Sequence, residues 1–220
     1  MFLDLLPMML GTALAPAWII IILLILRGAN GLLKATAFVT GATLTRFLQG
    51  FIFGHVFRPS DFSDTDGSSP AMSVLVLVLG LLLLISAVKT LMKEDDPDSP
   101  FPRWTTMFDG AKPLTLFGLG ILFTGLAPKL WVFTLSAIGT ILGANLPPID
   151  QAKWFLIYIL CAQSMLILPL LVCMTAPRQS AKLLESVSNW LTKYNKQISL
   201  IVYIVFGIFF LQKGLSGLLS

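Results

Sequence analysis

Thr12-Ala13-Leu14-Ala15-Pro16 and Thr124-Gly125-Leu126-Ala127-Pro128 are two versions of one pentapeptide, separated by 112 positions and each set inside a long apolar segment. A proline in the middle of a membrane helix removes a backbone donor and frees a carbonyl at a depth where no water can bond it. Breaking two helices in this way, at matching places in two halves of a chain, is how secondary transporters frame a substrate site. The threonine four residues before each proline, Thr12 or Thr124, is placed to cap a freed carbonyl.

The rest of the chain is membrane-like. Of its 220 residues 56% are hydrophobic and 12% charged, and the mean hydropathy is +0.86. Soluble domains carry roughly twice that share of charge. Six spans are predicted at about 5–26, 35–57, 72–92, 114–142, 153–174 and 198–218, each with the ~20 apolar residues a bilayer requires. The first and fourth are kinked or broken at Pro16 and Pro128. The expected fold is an all-α membrane bundle forming a single domain, with repeat one at 1–92, a polar linker at 93–113 and repeat two at 114–220. Segment 178–197 alternates apolar and polar residues at helical spacing, and predicts an amphipathic helix lying in the membrane interface. The N-terminus reads as an uncleaved first helix, since Asp4 stands where a signal peptide is positively charged.

A second repeat supports the first. Val78-Leu79-Gly80 in the third span matches Val205-Phe206-Gly207 in the sixth. Its offset exceeds that of the prolines by about the length of the extra amphipathic segment. Each half then holds three spans, and an odd number predicts inverted repeats. Lys and Arg concentrate in alternate loops (Arg27, Lys34; Lys89, Lys93, Arg103, Lys112; Arg178, Lys182, Lys193, Lys196), which predicts that those loops are cytoplasmic and both termini outside.

The net charge of +4 and pI near 9.2 come from these loop ends. No basic stripe with interleaved aromatics exists, so nucleic acid is not an expected partner. Cys161 and Cys173 lie about 18 Å apart along one helix, too far to bridge, and are expected as buried thiols. Neither a His/Cys/acid metal cluster nor a phosphate loop or nucleophile–base set is visible. No metal, cofactor or enzymatic activity is expected.

Arg46 is the outstanding side chain. It lies near the middle of the second span, where an arginine costs about 2.5–3.5 kcal/mol on insertion scales, and no span contains an acid to neutralise it. One reading is structural, with the guanidinium donating to carbonyls freed at Pro16 or Pro128. The other is recognition of a substrate carboxylate, phosphate or sulfate through its bidentate fork. Lys129 follows Pro128 at the same depth. Gln49, Gln163 and Ser164 are candidates to line the same polar gap, although hydrogen bonding between helices explains them equally. His55, near the end of the second span, reads as an interfacial residue.

Gly11 to Pro16, Gly125-Leu126-Ala127-Pro128-Lys129-Leu130-Trp131-Val132-Phe133, and the glycines Gly80 and Gly207 together resemble the lysine exporter superfamily of small six-helix membrane proteins. Within it, the length, the loop pattern and the acidic linker after the third span are most similar to the peptidoglycolipid-addressing (sulfolipid-addressing) group. The resemblance covers essentially the whole chain. It implies an exporter of the bacterial inner membrane with inverted three-helix repeats, possible homodimerisation, and outward movement of glycolipids or related envelope amphiphiles. Ala15-Pro16-Ala17 replaces the Pro-Gly-Pro of amino-acid exporters, Ala127 replaces an Asn, and the acidic motif of metal exporters is missing. The function expected is export of an anionic amphiphile or lipid-linked envelope component. Export of an amino acid or small metabolite, and a non-transporting scaffold for a lipid or envelope complex, are the alternatives.

Overall fold

The computed structural model describes residues 1–56, 70–92, 108, 110–175 and 177–219. Most of the acidic loop at 58–71 and of the linker at 93–113 lies outside them. The described residues form helices α1 (Phe2–Ala13), α2 (Pro16–Arg27), α3 (Gly31–Val56), α4 (Pro70–Met92), α5 (Pro113–Leu126), α6 (Pro128–Gly143), α7 (Pro148–Thr175) and α8 (Pro177–Leu219).

Both proline elements break their helices. A residue before proline is pushed from the helical to the extended region by the ring. Ala15 accordingly sits at φ −105°, ψ 87° and Ala127 at φ −83°, ψ 98°. The chain bends by 53° between α1 and α2 and by 71° between α5 and α6. Each proline then starts the next helix, the one position where its missing N–H is harmless.

Among the described residues α4, α7 and α8 are long and apolar enough to cross a membrane, and the count reaches five when each bent pair is taken as one span. The remaining expected span, the second, is α3, helical over 26 residues, but Arg46, Gln49 and four threonines (Thr36, Thr40, Thr43, Thr45) make it less apolar than the other spans.

The helices approach most closely where side chains vanish. A Cβ on Gly41 of α3 would lie 2.2 Å from the Phe117 carbonyl oxygen of α5, and one on Gly120 of α5 would lie 2.2 Å from the Phe38 oxygen. At the α4–α8 crossing, a Cβ on Gly80 would meet the Leu211 nitrogen at 2.8 Å and the Gly207 oxygen at 3.0 Å. The glycines of the second sequence repeat therefore face each other. In lipid, where burial supplies little drive, this close approach is the main source of helix association.

The amphipathic segment departs from expectation. Residues 178–197 are helical but run without interruption into the last span, giving a 43-residue α8 about 65 Å long at 1.5 Å per residue. Leu184, Ser188 and Leu191 are buried. The two leucines share an apolar cluster with Ile19, Ile20, Ile21, Ile22 and Leu23 of α2, and Glu185 pairs with Arg27 at 3.6 Å. The periodicity thus records packing on α2. Val187, Trp190 and Tyr194 occupy an exposed face. Cys161 and Cys173 are free, as expected, but half-buried rather than buried.

Candidate functional site

Arg46 is 3% exposed and lies at the end of a line of hydroxyl groups drawn from three other helices. Its Nη1 donates to Thr134 Oγ1 of α6 at 3.4 Å. Thr134 Oγ1 is 3.2 Å from the Tyr158 hydroxyl of α7, which is 3.1 Å from Thr12 Oγ1 of α1. Thr12 Oγ1 donates to the Met8 carbonyl at 2.8 Å. A hydroxyl has one proton to give, so this last bond fixes the direction of the others. With the Thr12 proton committed to Met8, Tyr158 donates to Thr12, Thr134 donates to Tyr158, and Arg46 donates to Thr134. The line is polarised from guanidinium to backbone carbonyl, and each bond strengthens its neighbours.

This arrangement does not neutralise the arginine. Among the described residues the ion pairs are Met1–Asp4, Arg27–Glu185 and Lys153–Asp150, none of which reaches Arg46. Arg46 Nε is buried without a hydrogen-bond partner, as are Gln49 Nε2, Thr124 Oγ1, Ser136 Oγ and Gln163 Oε1. A buried polar atom left unpaired costs about 1–3 kcal/mol. Orphans are few in native structures, and each asks for a ligand, an ordered water or a second conformation.

The two breaks differ from expectation in how their backbone is satisfied. Thr12 bonds the Met8 carbonyl of its own turn, and Thr124 Oγ1 has no partner, so neither threonine caps a carbonyl freed by proline. At the second break the indole of Trp131 does so, donating to the Gly125 carbonyl at 2.8 Å. The N–H side is also largely occupied. Trp18 and Ile19 donate to the Ala15 oxygen, and Leu130 and Trp131 to the Ala127 oxygen.

A family model for "Sap, sulfolipid-1-addressing protein" matches residues 5–216. The chain belongs to the sulfolipid-1-addressing protein family. No curated protein matches it, and no solved structure does. Family membership and helix composition together make it a multi-span membrane protein.

Of the site residues expected in this family member, Thr12 and Arg46 join the hydroxyl line. Pro16 is buried at the start of α2, beside a small crevice lined by Gly11, Leu14, Leu130, Phe133, Ser199 and Tyr203 among others. Gln49, Thr124 and Gln163 are buried with unpaired polar atoms, and Gln163 Nε2 donates to Thr43 Oγ1. Ser164 is excluded from this group: it is exposed and back-bonds to the Cys161 carbonyl at 2.7 Å, because one residue step turns it about 100° away from Gln163. The side chains of Pro128 and Lys129 lie outside the described residues. Tyr158 and Thr134 were not legible as site residues. The available signal was a tyrosine and a threonine each set inside an apolar segment, where a hydroxyl finds a partner on a neighbouring helix.

Proposed function

We propose that this protein is a secondary transporter, not an enzyme, which moves an anionic amphiphile across the bacterial inner membrane. The family's description points to a sulfolipid as the class of cargo. One observation carries the reading: a guanidinium 3% exposed at mid-helix, with no acid beside it among the described residues and with Nε unpartnered. A sulfate or carboxylate head group supplies the missing charge, with Gln49 Nε2 as an additional donor. A hydrogen-bonded line that ends on a neutral carbonyl orients Arg46 without discharging it, so the cation is held ready for cargo.

Alternating access about the two breaks is supported by correspondences between the halves. Exchanging α1–α4 for α5–α8 maps the α3–α5 contact onto α7–α1, α2–α8 onto α6–α4, and α2–α3 onto α6–α7, while α4–α8 and α3–α7 map onto themselves. Asn30 before α3 and Asn145 shortly before α7 are, among the described residues, the two non-glycine residues with positive φ, at 54° and 49°. These features favour a duplication; three spans in each half make the repeats inverted, and the Lys/Arg bias of the loops favours both termini outside.

The test is flipping of a fluorescent-acyl sulfated glycolipid in vesicles holding the wild type or Arg46→Gln. Hydrogen bonds to a charged group are worth about 1.5–3 kcal/mol, so the variant is expected to lose transport by about 10- to 100-fold. Wild-type rates in a normally folded Arg46→Gln protein would remove this site from the mechanism.

A further inference from the structure

The outer edge of α3 carries a row of oxygen atoms that the Arg46 line does not use. Thr36, Thr40 and Thr43 fall at i, i+4 and i+7, one stripe of a helix. Their hydroxyls donate to the carbonyls of Leu32 (2.8 Å), Thr36 (2.8 Å) and Val39 (2.7 Å). Having given its proton inward, each oxygen presents only lone pairs outward. Thr36 and Thr40 are exposed and Thr43 is half-buried. A threonine that back-bonds on a lipid-facing helix is ordinary by itself, so the weight falls on where the stripe ends.

It ends on α7. Gln163, 1% exposed, donates Nε2 to Thr43 Oγ1, and its Oε1 is buried without a partner. Gly50 lies against Phe155 while Thr43 lies against Gln163, so the two helices run antiparallel, and Met165 falls near the level of Thr40 and Gly41. Pro169 stands inside α7. Lacking an N–H, it leaves the Met165 carbonyl without its helical donor. The three threonine oxygens and Gln163 Oε1 are acceptors, and none of them carries a charge.

We propose that Thr36, Thr40, Thr43 and Gln163 form a lateral track on the α3–α7 face that binds the hydroxyl groups of a sugar head group. The track spans about 10 Å from Thr36 to Thr43, from the Lys34 end of α3 to within one turn of Arg46. It rests on the transport reading above and adds a division of labour to it. Hydroxyl donors of the sugar meet the acceptor row, and the acidic group meets Arg46. A track open to the bilayer lets the acyl chains stay in lipid while only the polar head moves along protein.

The experiment uses the full chain in liposomes with two photoreactive probes of equal alkyl length. One is an alkyl glucoside with a diazirine on the sugar, and the other an alkyl sulfate without sugar. The glucoside is expected to label residues 32–43 and the facing part of α7. The triple variant Thr36→Val, Thr40→Val, Thr43→Val should lower that labelling about tenfold and leave labelling by the sulfate unchanged. At Thr36 and Thr40 valine matches threonine in shape and suits lipid better, so a merely structural stripe predicts no loss there, whereas Thr43→Val also orphans Gln163 Nε2. Should the triple variant fail to fold, Thr40→Val alone is expected to lower labelling about threefold.

Unchanged glucoside labelling in these variants overturns the track, as does labelling spread evenly over the exposed leucines of α4 and α8. A triple variant that only dissociates a dimer also overturns it, since the stripe would then be a contact between copies. A wild type that moves no lipid yet shows threonine-dependent labelling refutes the transport reading and keeps the track. Transport that depends on Arg46, with labelling indifferent to the threonines, does the reverse.

Discussion

Gly41→Ala and Gly120→Ala test whether the α3–α5 contact sets the position of Arg46. Each new Cβ would lie 2.2 Å from a carbonyl oxygen of the facing helix, and ordinary contact begins at 3.4 Å. The helices must therefore part by about 1.2 Å, because a backbone oxygen cannot rotate aside as a side chain can. Parting them also breaks the long bond from Thr45 Oγ1 to the Ile121 carbonyl, now 3.5 Å, one residue before Arg46. Overpacking of this kind costs about 1–3 kcal/mol. At about 2–4 °C per kcal/mol for a protein of this size, each variant is expected to melt about 2–12 °C lower in detergent. The double variant is the sharper measurement. Once one methyl has opened the crossing the second meets little resistance, so the pair should fall short of additivity by about 1 kcal/mol or more. A single variant melting within about 1 °C of wild type, or a double variant equal to the sum, would refute this account of the crossing.

Tyr158→Phe removes the hydroxyl that links Thr12 to Thr134. Stability should fall by about 1–2 kcal/mol, while transport falls further because Arg46 loses the far end of its support; a flipping assay paired with a melting curve separates the two. At the second break, Trp131→Phe keeps the ring against Phe53 but orphans the Gly125 carbonyl, for an expected loss of about 1–3 kcal/mol. Thr124→Val, by contrast, removes a hydroxyl that bonds nothing and should leave the melting temperature unchanged or raised. Equal destabilisation by these two substitutions would restore the threonine as the cap.

The local chemistry of proline, arginine and apolar runs is written residue by residue. The sequence alone therefore determined the breaks at Pro16 and Pro128, the all-helical membrane character, the place of Arg46 along its helix and the family. Proline's missing donor and its steric effect on Ala15 and Ala127 act on the nearest turn wherever that turn is placed. The direction each helix faces belonged to the tertiary structure. In a soluble helix the apolar stripe marks the core, but a membrane helix is apolar toward lipid and toward its neighbours alike, so periodicity carries little orientation. That is why Gln163 and Ser164 looked equivalent until one proved buried and the other exposed. It is also why Tyr158 and Thr134 were hidden among apolar neighbours, and why residues 178–197 suggested a helix on the membrane surface when half of their pattern records contact with α2. At the α3–α5 and α4–α8 crossings helix rotation is decided by close approach at Gly41, Gly120, Gly80 and Gly207, where two backbones must meet, while the hydroxyl line at Arg46 exists only because α1, α6 and α7 each turn one polar side chain toward α3.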